Sequence, residues 1–596
     1  MNVYEKLVEI NDRQTDHILA VQIETPGGRN DGGIPQPDTG VPNASHVGTA
    51  GAMACMAAAL LSPESKHYRS MELLSAFDRA AEFMLRRQHA DGTISLGGTN
   101  FNSPPDTGFV AAGFAQMYEL LAACDWAPMA KVAAKIRLFL ERTIPALTTG
   151  GVHTPNHRWV VVAALSGLYR IFGGEAFVQR AEEWLAEGLD YTEDGEWTER
   201  SNGIYNAVSD IMLIYAADGL GKPELLEPVR RNLRMMAYLI HPDGDVVTDY
   251  SGRQDLGARS DLSPYLLSYR VMAERDRDSL FAAMYDLAAA NIQSMGAVNN
   301  HALLGWHAMP CPSLDDLPRA PIPDRYLKLF NANYPIDENL ARMDEAGHHG
   351  IIHHSSMHLS FGAPLLRYRE GIASATMMTR SNVYFSLRYG DARLLGIGLH
   401  TMFSPGTVEL QRIEPTALGC RMEAMLEKGY YSPIPVKALP ESARSTCSPW
   451  YLLPHHMRQQ THTQQHRIEV DIQRKGDDWL IRLRSDRPED VLMQASLVLD
   501  AGMTIEGSTE KTEEGSFRWT GGILRCTAAE YGFELDGGRI DHRQGRVGDT
   551  RLSRGASVVL INLLTPFEHE IRIRPFKIDS EHVIGAGTEG KCASAF

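Results

Sequence analysis

Cysteine is scarce in this sequence, and the few cysteines present follow no pattern. The seven residues are scattered along 596 positions, are odd in number, and form no CxxC pair. Such spacing argues against a disulfide framework and against a cysteine-based metal motif. We therefore expect free thiols in a reducing compartment.

Long apolar runs and an excess of positive charge are also missing. No stretch of this chain approaches the roughly 18 apolar residues that a membrane-spanning helix needs. Residues 1–20 contain no basic region followed by an apolar run, so we predict no signal peptide and a cytoplasmic protein. Lysine and arginine number 58 against 74 acidic residues, a net charge of −16, which argues against nucleic acid as a partner.

The length predicts two or more domains, and the first is helical. Gly-rich turns recur between alternate helices at intervals of roughly 45 to 60 residues, about one helical hairpin each. Repeated hairpins with their longer loops at one end predict an α/α toroid, with a linear helical solenoid as the alternative. The apolar spacing predicts helices at residues 48–61, 68–87, 108–123, 130–142, 158–172, 175–188, 205–218, 224–239 and 278–295.

The second half of the chain changes character. Prolines crowd residues 301–345, where we predict an inter-domain linker at 326–346. After residue 347 the apolar pattern has period two, which predicts an antiparallel β-sandwich. The predicted fold is thus a multidomain α+β protein with a catalytic toroid at 1–325 and a sandwich at 347–596. Strands are predicted at residues 351–361, 374–378, 383–389, 393–399, 467–473, 479–484, 492–499, 532–535, 557–562 and 569–573.

Two helix starts in the first domain carry side chains suited to chemistry. Asn156, His157 and Arg158 open one helix, and Asn202 and Tyr205 lie at the start of another. Helix N-termini expose unpaired N–H groups and favour an anionic ligand. Because successive hairpins of a toroid bring their loop ends to one mouth, we predict that Asn156, His157 and Tyr205 converge on one pocket.

This predicted architecture, with an Asn-His pair and a downstream Tyr at helix starts, resembles the heparinase II/III-like polysaccharide lyases, and among them the alginate and oligoalginate lyase branch. The resemblance implies that Asn156 and His157 neutralise a uronate carboxylate and that Tyr205 acts as acid and base. It also implies a histidine of the second domain that helps to remove the C5 proton. His400 is the best-placed residue for that role, although the His-x-His-x-Asp-like run of many members is missing after it.

The chemistry of β-elimination explains why these residue types fit. Neutralising the uronate carboxylate spreads the developing charge onto its oxygens, and donors aimed at them stabilise the transition state. A base must take the C5 proton, and an acid must protonate the leaving oxygen. A tyrosine phenol ordinarily titrates near ~10, so as a base it needs cationic neighbours. His157, Arg158 or Arg200 would provide that field.

Further polar residues are predicted at the same mouth as substrate contacts. Guanidinium groups match carboxylates bidentately, so arginines in an acidic protein are reasonable clamps. Salt bridges to neighbouring aspartates are the alternative explanation for them. The predicted substrate-binding residues are Asn100, Asn102, Arg158, Asn202, Tyr250, Arg253 and Arg259.

The histidines at 348, 349, 353, 354 and 358 invite a metal interpretation. In a strand, His354 and His358 would lie about 13 Å apart, too far to ligate one ion. We therefore predict neither a metal nor another cofactor.

Three functions remain open. The first is a lyase that cleaves uronate-containing oligosaccharides by β-elimination, with exo-action, an acidic oligosaccharide as substrate and no membrane partner; a homodimer is kept open. The second is a toroidal glycoside hydrolase acting on similar substrates through two carboxylates. The third is a non-catalytic glycan-binding protein with an aromatic-lined mouth. The carboxylates nearest to the hydrolase pattern are Asp106, Glu196, Glu199 and Asp210.

Overall fold

The structure is a computed structural model of the chain, and it describes residues 2–346, 358–441, 450–513, 515–548 and 555–578. The chain divides into two compact units. The first unit combines Met1–Asp324 with Asn333–Gly362, and the second combines Arg325–Ala332 with Ala363–Phe596. Helices make up the first unit and strands the second, so the predicted α+β class is confirmed.

All nine predicted helices are present, and four more occur that were not predicted. α1, α10, α12 and α13 are the additional ones. The thirteen α-helices of the described residues are α1 (Val3–Val21), α2 (Thr49–Leu61), α3 (Met71–Arg87), α4 (Pro104–Ala123), α5 (Ala130–Thr149), α6 (Pro155–Phe172), α7 (Glu175–Leu185), α8 (Tyr205–Leu220), α9 (Leu226–Met236), α10 (Leu266–Asp276), α11 (Ser279–Asn291), α12 (Ala302–Ala308) and α13 (Ile336–Glu345).

The helices of the first unit alternate between fully buried and amphipathic ones. α2, α4, α6 and α8 are buried almost all round, as expected for helices rich in Ala, Gly, Val and Met. α3, α7 and α9 bury one face only. Each even-numbered helix from α2 to α10 packs against the next, and α12 packs against both α2 and α4. The contacts between the even-numbered helices therefore form a closed series, because α12 packs on α2.

Glycine turns before the buried helices explain the weak sequence repeat. Gly92 and Gly195 have φ of +85° and +104°, a region that favours glycine. A Cβ at Gly92 would lie 1.9 Å from the Arg142 carbonyl oxygen, and one at Gly195 would lie 2.4 Å from that of Arg231. Each turn thus packs on the backbone of an odd-numbered helix, α5 and α9 respectively. The turns fix where the following loops deliver their side chains.

The segment predicted to be a linker contains regular structure. Residues Arg325–Phe330 form the strand β1, which pairs with β2 in the second unit, and α13 follows in the first unit. The alternating apolar pattern of this strand is short, and the surrounding prolines made it hard to recognise in the sequence. Residues 351–357 of the strand predicted at 351–361 lie outside the described residues, and residues 358–361 do not form a strand.

All strands of the described residues belong to one sixteen-stranded sheet. Nine of the ten predicted strands are present. The strands are β1 (Arg325–Phe330), β2 (Leu365–Glu370), β3 (Ala373–Met378), β4 (Phe385–Tyr389), β5 (Ala392–Thr401), β6 (Gly406–Thr407), β7 (Arg412–Thr416), β8 (Gly419–Tyr431), β9 (Gln460–Lys475), β10 (Asp478–Ser485), β11 (Leu492–Leu499), β12 (Thr504–Glu513), β13 (Ser516–Ala528), β14 (Tyr531–Asp536), β15 (Ser557–Leu564) and β16 (Phe567–Lys577).

The order of the main path is β1-β2-β3-β4-β5-β11-β15-β13-β14-β16-β10-β9-β8-β7. The pairing is antiparallel except between β13 and β15, where Ser516–Arg518 runs parallel to Val558–Leu560. That pair corrects the prediction of a purely antiparallel arrangement. β5 and β11 are buried on both faces and read as apolar runs, whereas β10 and β16 alternate. Trp479 and Trp519 are among the buried residues of the core.

Five cysteines lie in the described residues, and all five are free thiols. The prediction of free thiols is confirmed for them. Among the helices of the described residues, none is both long enough and apolar enough to cross a lipid bilayer.

Candidate active site

A cavity of about 720 Å³ lies at the N-terminal ends of α4, α6 and α8, and we call it the active-site cavity. Each helix contributes side chains from its first turns: Asp106 and Phe109 from α4, His157 from α6 and Tyr205 from α8. Prolines at the first positions of α4 and α6 favour these helix starts, since their missing N–H groups would be unpaired there anyway. The positive dipole ends of three helices favour negative charge in this region.

Tyr205 presents a hydrogen-bonded phenol in this cavity. The side-chain amide of Gln254 donates a hydrogen bond of 2.7 Å to the phenol oxygen. The guanidinium carbon of Arg253 lies 4.7 Å from the ring centroid. The cationic neighbour of Tyr205 is therefore Arg253, and not one of the three residues predicted for that role.

His157 is buried and electrically neutral. Its ring makes edge contacts with Phe109 and His153, at centroid distances of 5.8 and 4.8 Å. Burial, reinforced by the nearby His153 and Arg253, lowers the pKa of His157 to about 3. Its Nδ1 has no hydrogen-bond partner among the described residues. At neutral pH the imidazole can accept or relay a proton, but it supplies no positive charge.

Asn156 lies behind the cavity and does not line it. Its side-chain amide donates to the carboxylate of Glu199, and its backbone N–H lies 3.2 Å from the same oxygen. The other oxygen of Glu199 pairs with Arg253 at 3.0 Å. Burial raises the pKa of Glu199 to about 7, although Arg253 and Asn156 oppose the shift. Glu199 therefore links the predicted Asn156 to the cation beside Tyr205.

Asn202 and Tyr250 are buried and serve the scaffold. The Asn202 amide donates to the Tyr250 hydroxyl at 3.0 Å and to the Val247 carbonyl at 2.8 Å. The guanidinium carbon of Arg200 lies 4.8 Å from the centroid of the Tyr250 ring, and its Nε lies 3.4 Å from Glu196. Neither Asn202 nor Tyr250 lines the active-site cavity. The prediction that they contact substrate is corrected: both side chains are buried and make hydrogen bonds within the fold.

The remaining predicted contacts divide between the cavity and the surface. Asn100 lines the cavity and donates to Asp106 at 2.9 Å. Asn102 is exposed and lies outside the lining. Arg158 pairs with Asp190 at 2.7 Å, away from the cavity. Arg259 is 54% exposed and lies 3.9 Å from Asp245. A contact of this kind, with a neighbouring aspartate, is what the alternative explanation of a salt bridge predicts.

His400 lies in β5, in the core of the second unit. Its side chain is fully buried. Nε2 lies 3.1 Å from the Ser496 hydroxyl and Nδ1 lies 3.2 Å from the Thr407 hydroxyl. Since both ring nitrogens are engaged by hydroxyl groups, the side chain has the environment of a structural core histidine.

The predicted residues that meet in the active-site cavity are therefore His157, Tyr205, Asn100 and Arg253. Sequence reasoning missed His46, whose ring stacks on Phe109 at 4.5 Å. Burial lowers the pKa of His46 to about 4, against the opposing charge of Asp106. A usable signal was its position just before the apolar helix α2, which matches the position of His157 before the apolar part of α6.

Metal ligation has no candidate cluster in the part of the chain that the structure describes, where no three His, Cys, Asp or Glu side chains are grouped to hold an ion. Histidines 348, 349, 353 and 354 lie outside the described residues. His358 is described, and burial lowers its pKa to about 3.

No family profile matches the chain, and no curated protein sequence does either. Solved structures do match. The chondroitin AC lyase of Streptomyces coelicolor A3, in complex with chondroitin sulphate, aligns with a TM-score of 0.52 at 12% identity, over 96% of this chain and 80% of that one. This chain shares its fold with a polysaccharide lyase. The predicted resemblance to such lyases is confirmed at the level of the fold.

Two further neighbours carry similar names at lower scores. A heparan sulfate lyase mutant from Pedobacter heparinus aligns with a TM-score of 0.46 at 10% identity, over 95% of this chain and 83% of that one. A heparinase III aligns with a TM-score of 0.46 at 10% identity, over 88% and 77%.

Proposed function

We propose that this protein is a polysaccharide lyase that cleaves uronic-acid-containing glycans by β-elimination. The observation that carries the proposal is the meeting of His157, Tyr205 and Arg253 in one cavity. A neutral imidazole, a phenol and a guanidinium can supply the base, the acid and the carboxylate donors that elimination needs. The fold shared with a chondroitin AC lyase supports the same class of reaction.

The proposed reaction balances without water. The base takes the C5 proton, and the electron pair of that C–H bond becomes the C4–C5 double bond. The C4–O bond breaks, and the leaving oxygen takes a proton. Tyr205 is suited to both transfers, because a phenolate that accepts the first proton becomes the phenol that donates the second. The Gln254 amide donates a hydrogen bond to the phenol oxygen, and the Arg253 guanidinium lies beside the ring.

The substrate carboxylate needs donors, and two are placed at the cavity. Arg253 offers a guanidinium that Glu199 fixes from behind at 3.0 Å. His157 offers a neutral ring whose N–H can donate without adding charge. In this proposal Asn156 is a positioning residue, because its amide is bound to Glu199 rather than turned to the cavity. His400 has no part in the proposed chemistry.

The architecture supports this assignment. We interpret the closed row of even-numbered helices as an α/α toroid, with the catalytic cavity at the mouth that their N-terminal loops surround. We interpret the sheet of the second unit as a β-sandwich, since its central strands are buried on both faces. In the proposed domain plan, residues 1–325 carry the catalytic groups.

The distribution of carboxylates disfavours hydrolysis. Hydrolases of this kind need two carboxyl groups across the pocket. Among the described residues, the lining of the cavity contains one carboxylate, Asp106, whereas Glu196, Glu199 and Asp210 lie outside it. Glycan binding without catalysis would call for a mouth lined mainly by aromatic rings, and here Phe109 and Tyr205 are joined by the polar groups described above.

Mass spectrometry of the products tests the proposal. The full chain is incubated with chondroitin and with oligoalginate, and the new non-reducing ends are analysed. An unsaturated uronate that lacks the elements of one water supports elimination, whereas a saturated uronate would establish hydrolysis. Early release of single terminal units would support the predicted exo-action on oligosaccharides.

A further inference from the structure

A second cavity of about 1060 Å³ adjoins the active-site cavity and shares Val47 and Leu96 with it. Two short hairpins form its walls. One is closed by the bridge between Pro35 and Pro42, and the other by the bridge between Ile94 and Ser103. Since the two cavities share wall residues, they lie side by side in the first unit.

Three arginines line this second cavity, which we call the arginine cavity: Arg29, Arg86 and Arg87. Among the described residues, none of the three forms an ion pair with a carboxylate; Arg86 donates to the backbone oxygen of Asp31. Asp38 is the one acidic residue in the lining. In a chain whose net charge is −16, an excess of positive charge at this place is a departure from the average surface.

Arg29 and Arg87 repel one another, and an anion would relieve the repulsion. Burial and the charge of Arg29 both lower the pKa of Arg87. Elsewhere in the first unit arginines are neutralised locally, as Arg275 is by Asp218 at 2.5 Å. A carboxylate or sulfate between Arg29 and Arg87 would accept charge-assisted hydrogen bonds from both guanidinium groups.

The rim of the arginine cavity offers an apolar face and free space. Phe101 is 68% exposed, unusual for a large aromatic side chain. Nothing lies within 4 Å of a Cβ built on Gly98, so the wall beside it is open. An exposed ring next to cationic groups suits a ligand with both an apolar face and negative charge.

We propose that the arginine cavity is an anion-binding subsite that holds the carboxylate or sulfate of a second sugar, while a linked uronate reacts in the active-site cavity. This inference rests on the proposed function for the identity of the chain that links the two sites. It makes the substrate an acidic oligosaccharide with negative charge on at least two sugars. Arg29 and Arg87 are the residues that recognise the second charge.

Calorimetric titration tests the subsite separately from catalysis. The probes are chondroitin disaccharide and tetrasaccharide, each unsulfated and sulfated, with Tyr205→Phe as the common background to stop turnover. The variant Arg29→Ala/Arg87→Ala is compared with Arg13→Ala/Arg137→Ala, which removes the same charge from exposed positions outside both cavities. Arg86 is left unchanged because of its backbone hydrogen bond.

The expected result is a loss that depends on ligand length. Arg29→Ala/Arg87→Ala should weaken binding of a tetrasaccharide roughly tenfold or more and leave the disaccharide within about twofold, whereas the control pair should bind both like the parent. A loss for the sulfated tetrasaccharide alone identifies sulfate as the recognised group, and an equal loss for both forms identifies the carboxylate. Equal tetrasaccharide binding by the two double variants would overturn the inference.

A second arm does not depend on the proposed function. Inorganic sulfate, exchanged for chloride at constant ionic strength, should raise the Tm of the parent and of the control pair more than that of Arg29→Ala/Arg87→Ala, because binding to the native state stabilises it. The same increase in all three proteins would refute the subsite. If sulfate discriminates between the variants but no oligosaccharide binds, the anion site stands and the proposed glycan function fails.

Discussion

The guanidinium carbon of Arg253 lies 4.7 Å from the centroid of the Tyr205 ring. The same guanidinium is held by the Glu199 carboxylate at 3.0 Å, so its position over the phenol is fixed from behind. These contacts thus connect the buried Glu199 to the phenol that we propose as the proton carrier. The predictions below test the residues in these contacts one at a time.

Replacing Arg253 with Ala should impair both binding and turnover. The guanidinium is available to the substrate carboxylate and also lies beside the ring of Tyr205. We expect kcat/KM to fall by roughly one to two orders of magnitude, with a rise in KM and a fall in kcat. Arg259→Ala is the matched control, since that arginine is 54% exposed and lies outside the cavity lining. Similar losses for both arginines would contradict the assignment.

Glu199 should set an acidic limb in the pH profile. Its carboxyl has a pKa of about 7, and only the ionised form holds Arg253 by charge. We expect kcat/KM of the native enzyme to rise as the pH passes through about 7. In Glu199→Gln this limb should be absent, because the amide does not titrate. An unchanged limb at the same pH in the variant would assign it to another group.

The same shift predicts how stability depends on pH. The pKa of Glu199 is raised from 4.5 to about 7 in the fold, so the native state keeps a proton that the unfolded chain releases. Its contribution to stability is complete below the lower value and is lost as the pH rises through the higher one. Urea denaturation on both sides of this window should show a smaller decline toward high pH in Glu199→Gln than in the native protein. Equal declines would show that Glu199 ionises freely in the fold.

Asn202→Ala should reduce stability rather than substrate affinity. The substitution leaves the buried Tyr250 hydroxyl and the Val247 carbonyl without their donor. We expect a loss of about 1–3 kcal/mol in the free energy of unfolding. Asn102→Ala, at an exposed position, should change it by less than about 0.5 kcal/mol. A large rise in KM for Asn202→Ala without loss of stability would restore its predicted role as a substrate contact.

Local patterns made much of the helical unit predictable. The spacing of apolar residues predicted helices such as α6 and α8, and the structure buries those residues. Gly92 and Gly195 were identifiable as turns because their positive φ is a local requirement. The strand β1 and helix α13 were hidden among prolines, and β1 depends on a partner 35 or more positions further along the chain.

The candidate site was predictable in part. His157 and Tyr205 were found because each begins a helix, and helix starts meet at one end of repeated hairpins. Asn202 was misassigned because its partner Tyr250 lies 48 positions away and is chosen by packing. The role of Glu199 depends on its burial and on its ion pair with Arg253, and the neighbouring sequence predicts neither of them.

Tyr205→Phe should abolish most of the turnover and leave the fold intact. The substitution removes the hydroxyl that accepts from Gln254 and keeps the ring beside Arg253. We expect kcat to fall by roughly two orders of magnitude or more, since general acid–base catalysis contributes about that much. Unfolding curves that match the native protein exclude a folding defect. Retention of most activity on a uronate oligosaccharide would remove Tyr205 from the mechanism.

The most direct test of the central claim is the ultraviolet absorbance of the reaction mixture. Elimination conjugates a new carbon–carbon double bond with the uronate carboxylate, and hydrolysis does not. The native chain, incubated with uronate oligosaccharides, should produce a steady rise in absorbance that keeps pace with the appearance of new reducing ends, and Tyr205→Phe should produce almost none. New reducing ends without any rise in absorbance would contradict the lyase assignment.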